Sequence, residues 1–222
     1  MSRVTFDIET VPIQLDTLPA PLQVEHERRR SRRAEKDLDP MAHDFHPAFN
    51  KIVAIALRIS DEKYGIDKHD SVIDRVYSGP DEKEILNKFL TVMSMLKAPL
   101  PTYVGWNQLA FDVPIIIFRT LANQLTAPSD KLAWINFVNT ARFRTTPHYD
   151  IMMQLATWNM SLASSMRMAA VSFGLEDPKA KTHGGDVEEL AKQGDFARIG
   201  EYCASDVNIT DQLYVPVRRI LG

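Results

Sequence analysis

The stretch TFDIET, Thr5–Thr10, sets two carboxylates two residues apart inside an apolar run. On an extended strand, residues i and i+2 share a face. Asp7 and Glu9 therefore project together, and Phe6 and Ile8 project the other way. An isolated ionised carboxylate in an apolar strand is costly unless it is paired or bound to a cation. The pair is thus either a solvated strand face or part of a cation site. With 29 acidic residues in 222, about four acid-x-acid pairs arise by chance, so the pair alone decides nothing.

Two further features carry the same chemistry. In VGWNQLAFDVP, Asp112 lies where a loop turns into a helix. A carboxylate there suits the positive end of the helix and is able to cap free N–H groups, while Asn107 is able to hydrogen-bond across the same turn. In YCASD, Tyr202 and Asp206 are four apart and so lie on one helical face; a half-buried tyrosine on an amphipathic helix has the same spacing. Oxygen donors of this kind suit Mg²⁺, which keeps several waters and needs neither imidazole nor thiolate.

The elements that must position these residues are readable from pattern. Residues 2–11, 50–60, 71–79 and 101–106 read as strands, rich in β-branched side chains. Residues 80–96 read as a helix with Pro80 in its first turn and Ile85, Leu86, Phe89, Met93 and Leu96 on one face. A helix follows over 112–125, and 126–150 reads mostly as loop. Ser and Gly174 bracket a helix within 164–175, and Asp186 and Gly194 bracket another. A long terminal helix runs from 195, broken near Pro216. Strands early and helices late, with a strand–helix–strand–helix stretch between, give a mixed α/β sheet with helices on its faces.

Bulk composition, 45% hydrophobic and 25% charged with a net charge of −3, fits one globular domain and excludes a strongly basic nucleic-acid coat protein. One cysteine, Cys203, allows no internal disulfide and fits a reducing compartment. No stretch approaches 18 apolar residues, so the expectation is a cytoplasmic protein without a membrane partner.

Other stretches are weaker signals. Residues 24–37, with the cluster Arg28–Arg33, read as an inserted loop or exposed helix, either touching phosphates or forming a solvated face. ARFRTTPH, residues 141–148, mixes basic and aromatic residues that could guide a strand. His43 and His46 lack the partners a closed zinc site needs. His148 and Asp150 are expected to be structural, with Asp150 supporting the acids from behind. Cys203 is expected to point away from Tyr202 and Asp206 into the core.

Taken in order, D-x-E on a first strand, N-(x)4-D opening a mid-chain helix and Y-x-x-x-D on a C-terminal helix resemble the DEDD superfamily of 3′–5′ exonucleases in its tyrosine subclass. Glu201 stands where the histidine subclass has His. FDIETVP, NKIVAIAL, GWNQLAFDVPII, HYDIMMQL and EYCASDV also resemble stand-alone exonucleases related to the proofreading domain of family B DNA polymerases. The resemblance runs along most of the chain, except 13–45 and 126–146. It implies a ribonuclease-H-like mixed five-stranded sheet flanked by helices, as one exonuclease domain over 1–222 with an insertion or extended loop at about 13–48.

The same resemblance implies Asp7, Glu9, Asp112 and Asp206 as ligands of two Mg²⁺ or Mn²⁺ ions and Tyr202 beside the attacking water. Thr10, Val11, Trp106, Asn107 and Phe111 become candidates for gripping substrate, although Trp106 and Phe111 serve a core equally well. The implied partner is single-stranded nucleic acid, DNA rather than RNA, releasing nucleoside 5′-monophosphates, and a polymerase or repair partner would act in trans. An RNA-trimming enzyme of the same chemistry and a non-catalytic binding or adaptor module on the same fold are the alternatives.

Overall fold

The computed structural model describes residues 2–36, 45–61, 72–127, 131–175 and 187–222. Five strands, β1 (Ser2–Pro12), β2 (Asn50–Asp61), β3 (Val72–Ser78), β4 (Thr102–Gly105) and β5 (His148–Asp150), form one sheet in the order β3-β2-β1-β4-β5. β1 pairs antiparallel with β2 and β2 antiparallel with β3, while β1–β4 and β4–β5 are parallel. This is the mixed α/β sheet expected from the sequence.

β1 lies at the centre and buries both faces. Val4, Phe6 and Ile8 join a core with Leu86, Phe89 and Met93 of α2 (Glu82–Met95) and Val113 and Ile116 of α3 (Asp112–Ala122). The alternate residues turn to α8 (Phe196–Leu221), which packs across β1, β2 and β3. On that side Val11, Val53, Ala54 and Ala56 meet Ile199, Tyr202, Cys203 and Val207, with Val187 and Leu190 of α7 (Val187–Gln193) beside them. Period 2 on the strand and period 3.6 on the helix thus meet along one seam.

Three local expectations change. α2 is capped by Asp81, whose side chain accepts from the Lys83 and Glu84 N–H groups, so Pro80 precedes the helix rather than starting it. The stretch read as loop contains α4 (Leu132–Phe137) and β5. α4 is too short to stand on propensity; it forms because fully buried Phe137 wedges between Phe6, Phe89 and Tyr103, at centroid distances of 5.6, 5.5 and 5.2 Å. α8 runs unbroken through Pro216, which sits on its exposed side, where the missing N–H costs least. The Arg-rich insertion forms helix α1 (Ala20–Ala34), with Arg28–Glu25 and Arg30–Glu27 ion pairs along its surface. The cap expected at Asp186 and the zinc candidate His43 lie outside the described residues.

α8 is fixed to β1 by charge as well as packing. Asp211 takes a hydrogen bond from Thr5 Oγ1 at 2.7 Å and an ion pair from Arg3 Nη2 at 3.0 Å. Arg3 is fully buried and lies over the Tyr214 ring, 4.7 Å from its centroid. Removing one partner of a buried pair strands the other charge. Asp211→Ala should therefore lose about 3–5 kcal/mol of unfolding free energy and Thr5→Val about 1 kcal/mol, measured by urea denaturation; equal small losses would mean that packing alone seats α8.

Candidate active site

The two acids of β1 lie at an irregularity. Glu9 faces Ala54 but Thr10 faces Ile52, so Val53 is an extra residue on β2. Such a bulge kinks the strand and frees backbone groups. Here both are taken up: the Ile52 N–H donates to Glu82 Oε1 at 2.7 Å, and Val53 O accepts from the Gly79 N–H at 3.0 Å. Glu82 is gripped in turn by Arg119 Nε and Nη2, at 2.9 and 2.6 Å, and by Asn123 Nδ2 at 2.8 Å. Helices α2 and α3 thereby brace the point where β1 presents Glu9. Glu82 was invisible in the sequence as anything but a first-turn acid.

Asp112 reaches the same place from the other flank. β4 pairs with β1 only along Arg3–Thr5, so among the described residues no strand pairs with later β1 on that side. Asp112, the first residue of α3, fills the gap: its Oδ1 accepts the Ile8 N–H at 3.2 Å. The turn before it is built by backbone. Asn107 has a left-handed φ of 60°, and its carbonyl accepts the Ala110 and Phe111 N–H groups; its side chain does not close the turn. Gln108 is fully buried and donates to the Tyr103 and Tyr149 carbonyls at 3.1 and 3.0 Å. A Cβ at Gly105 would come within 2.7 Å of Gln108 Cβ, so the fold-back requires glycine there.

Asp150 holds this turn from behind. Its Oδ1 accepts the N–H groups of Asn107 (3.0 Å) and Met153 (3.2 Å), and its Oδ2 that of Leu109 (3.0 Å). It thus also caps α5 (Ile151–Leu155). His148 Nε2 lies 2.7 Å from the Phe137 carbonyl, and burial lowers its pKa to about 4. Neutral His148 is a structural donor.

From α8 come Tyr202, Cys203 and Asp206. Tyr202 is 7% exposed and hydrogen-bonds Asp206. Burial, then the Asp206, Glu9 and Asp7 charges, push its pKa far up, so its hydroxyl keeps the proton and donates. Cys203 is buried, but its thiol lies against the acids rather than away from them. Sγ is 3.3 Å from the Asp7 carbonyl and 3.6 Å from Asp7 Oδ2. Burial and the Asp7 and Glu9 charges raise the thiol pKa, making it a donor to Asp7. The i, i+3 spacing of Cys203 and Asp206 was the available signal, and the expectation from sequence passed over it.

The four acids form one electrostatic unit. Desolvation raises the Asp7 pKa well above the usual carboxylate range, and Asp112, Glu9 and Asp206 raise it further. Asp112 is pushed to about 7, chiefly by burial, with Asp150 and Asp206 adding and backbone N–H donors opposing. Among the described residues, Asp7, Glu9 and Cys203 bring ligand atoms within 4.8 Å of one another.

The residues read as gripping substrate are placed variously. Thr10 sits half-buried at the bulge, and Val11 is 5% exposed, packed toward α7 and bordering a hollow of about 630 Å³ with Lys51 and Phe196. Trp106 packs against the cluster containing Val104 and Tyr149. Phe111 rests on the Phe6–Ile8 core and meets Phe45 edge-on at 5.7 Å. His46 accepts the Ala48 N–H and packs on Phe49 and Phe118.

A central strand with two acids, a helix start with a third and a last helix with a fourth are thus carried on one mixed five-stranded sheet flanked by helices. Residues 43–222 match a family described as predicted 3′–5′ exonucleases related to the exonuclease domain of PolB. The chain belongs to that family. Its fold is similar to that of the family B DNA polymerase from the hyperthermophilic archaeon Pyrobaculum calidifontis, with a TM-score of 0.57 and 14% identity over 98% of this chain and 24% of the polymerase. Exonuclease I is more distant, with a TM-score of 0.45 and 14% identity over 99% of this chain and 42% of that one. The zinc-bound E. coli exonuclease I–ssDNA complex gives a TM-score of 0.44 and 13% identity over 96% and 42%. The chain thus spans about a quarter of the polymerase and under half of exonuclease I. No curated protein matches the sequence.

The crowding has a pH signature. Asp112 titrates near 3.8 when unfolded and near 7 when folded, so the stability it contributes is present below 3.8 and is lost as pH rises toward 7. In chelator, the stability of Asp112→Asn relative to wild type should climb with pH by up to about 1.4 kcal/mol per unit across that window and then level off. His148 has the opposite slope between about 4 and 6.5 but cancels in the difference. Chemical denaturation at several pH values measures this; a flat difference would mean that Asp112 ionises freely.

Proposed function

We propose that the chain is a metal-dependent 3′–5′ exonuclease of the tyrosine subclass, removing nucleoside 5′-monophosphates from single-stranded 3′ ends, of DNA in preference to RNA. The observation that carries the reading is the convergence of Asp7, Glu9, Asp112 and Asp206, each felt by Asp7, with the Tyr202 hydroxyl hydrogen-bonded among them. We take 1–222 as one catalytic domain with its insertion between β1 and β2.

The donor set fits hard divalent cations. It is made of carboxylates, and the one nearby sulfur is a thiol held protonated by burial, not a thiolate that would select zinc. Asp7, adjoining all three other acids, would serve two Mg²⁺ or Mn²⁺ ions. Glu9 and Asp206 would complete one site and Asp112 the other. When bound, such ions neutralise the crowded acids, ready a water for attack and stabilise charge on the attacking and leaving oxygens.

The chain's own groups then have defined tasks. In the reaction, a water oxygen bonds to phosphorus, the bond from phosphorus to the 3′ oxygen breaks, and that oxygen gains a proton. Tyr202 keeps its proton at working pH, so it orients the water by hydrogen bonding and does not act as the base. Its bond to Asp206 fixes the hydroxyl before substrate arrives. The Cys203 thiol and the Ile8 N–H steady Asp7 and Asp112 as acceptors.

With Mg²⁺ or Mn²⁺, 5′-labelled single-stranded DNA should shorten from its 3′ end, and RNA more slowly. Asp7→Asn should abolish this, and Tyr202→Phe should lower kcat about 10- to 100-fold with little change in KM. Cleavage that survives Asp7→Asn, or strand binding without cleavage in any metal, would sink the proposal; the latter would indicate a binding module.

A further inference from the structure

We propose that the hollow beside the 107–112 turn is a stacking subsite for a nucleobase of the bound strand, upstream of the bond that is cut, with Phe143 and Trp158 as its aromatic platform. This rests on the nuclease reading above and extends it to residues outside the acid cluster.

The hollow measures about 280 Å³ and is lined by Leu109, Ala110, Arg142, Met153, Trp158 and Met160, among others. That is at the small end of ligand clefts, roughly 300–1,000 Å³, a size for one planar group rather than a whole ligand. None of the four acids lines it, so it takes a nucleotide other than the one whose bond breaks.

Its rim is built for a base. Phe143 is 69% exposed, an unusual place for a large apolar ring, and its centroid lies 5.2 Å from that of Trp158. Arg142 approaches the Phe143 ring at 5.5 Å. Trp158, which lines the hollow, Thr157 before it and Phe143, which packs on Trp158, have left-handed φ angles of 62°, 48° and 63° without being glycine. Side chains resist that conformation, and it persists only where surrounding structure imposes it. Both rings are therefore presented by fixed backbone. Exposed Arg142 and Arg144 beside exposed Phe143 and half-buried Trp158 combine the two grips that single strands need, cations for phosphates and rings for bases.

The hollow also shares a scaffold with the acids. Leu109 and Met153, both of which line it, donate their N–H groups to Asp150. Asp112 follows Leu109 by three residues, and the Asp150 charge acts on it directly. On the proposed path, the strand's 3′ end sits at Asp7 and Asp112 and an upstream base at Phe143.

The test uses full-length protein with Asp7→Asn to block cleavage, and anisotropy of a labelled single-stranded oligonucleotide. Phe143→Ala and Trp158→Ala should each weaken binding roughly 5- to 100-fold, and Phe143→Trp should retain it. Arg142→Gln should reduce the slope of log affinity against log salt by about 0.7. Exposed Phe143 can change without unfolding the chain, which a thermal melt checks. In the active protein, Phe143→Ala should raise KM for oligonucleotides and leave hydrolysis of a nitrophenyl ester of thymidine 5′-monophosphate unchanged, because that ester has no upstream nucleotide.

Unchanged oligonucleotide affinity and KM in both alanine variants would overturn the subsite while leaving a cutting enzyme intact. Wild-type protein that binds through the hollow but cuts nothing would keep the subsite and overturn the nuclease reading. Protein that neither binds nor cuts would overturn both.

Discussion

Mutual repulsion among Asp7, Glu9, Asp112 and Asp206 is the constraint that the rest of the structure answers. Burial first, and neighbouring carboxylates after it, raise the pKa values of Asp7 and Asp112, and carboxylates held that way oppose folding when ionised. No single element could hold such a set. The chain brings β1, α3 and α8 to one point, and each arrives with a bond that fixes its approach: Glu82 at the β2 bulge opposite Glu9, the Ile8 N–H on Asp112, and Arg3 with Thr5 on Asp211.

The balance is asymmetric, and that asymmetry suits cations. Two turns above the acid cluster, the α8 seam is neutralised by fully buried Arg3 against Asp211. At the cluster itself, Asp112 accepts a backbone N–H, Asp206 a tyrosine hydroxyl and Asp7 a thiol. These orient lone pairs but do not cancel them. Binding a divalent ion to such a site relieves repulsion that the folded chain already bears, so ion binding and folding favour each other.

Much of this was legible in the sequence, for specific reasons. The alternation of Phe6 and Ile8 with Asp7 and Glu9 needs only strand geometry, and Tyr202 with Asp206 only helix geometry. The order of β1 to β4 and of α2, α3 and α8 followed from β-branched runs and helical periodicity, while α4 and β5 lay in a stretch read mostly as loop. What was not legible depends on contacts distant in sequence. α4 exists because Phe137 fits between Phe6 and Phe89, not because six residues favour a helix. Glu82 looks like an ordinary first-turn acid until the bulge at Val53 frees an N–H for it. Cys203 was assigned to the core by its chemistry, and the register of α8 against β1 turns its thiol onto Asp7. The platform of Phe143 and Trp158 joins residues 15 apart through backbone conformations that no local pattern announces.

A scaffold that forces four acids together makes a quantitative claim about cation stoichiometry. Titrating Mn²⁺ into the protein with a nucleoside 5′-monophosphate present, and counting bound ions by electron paramagnetic resonance, tests it most directly. Two Mn²⁺ per chain are predicted, with binding collapsing in Asp7→Asn because that residue adjoins the other three acids. Absence of stoichiometric binding, or two ions still bound in the Asp7→Asn protein, would contradict the account.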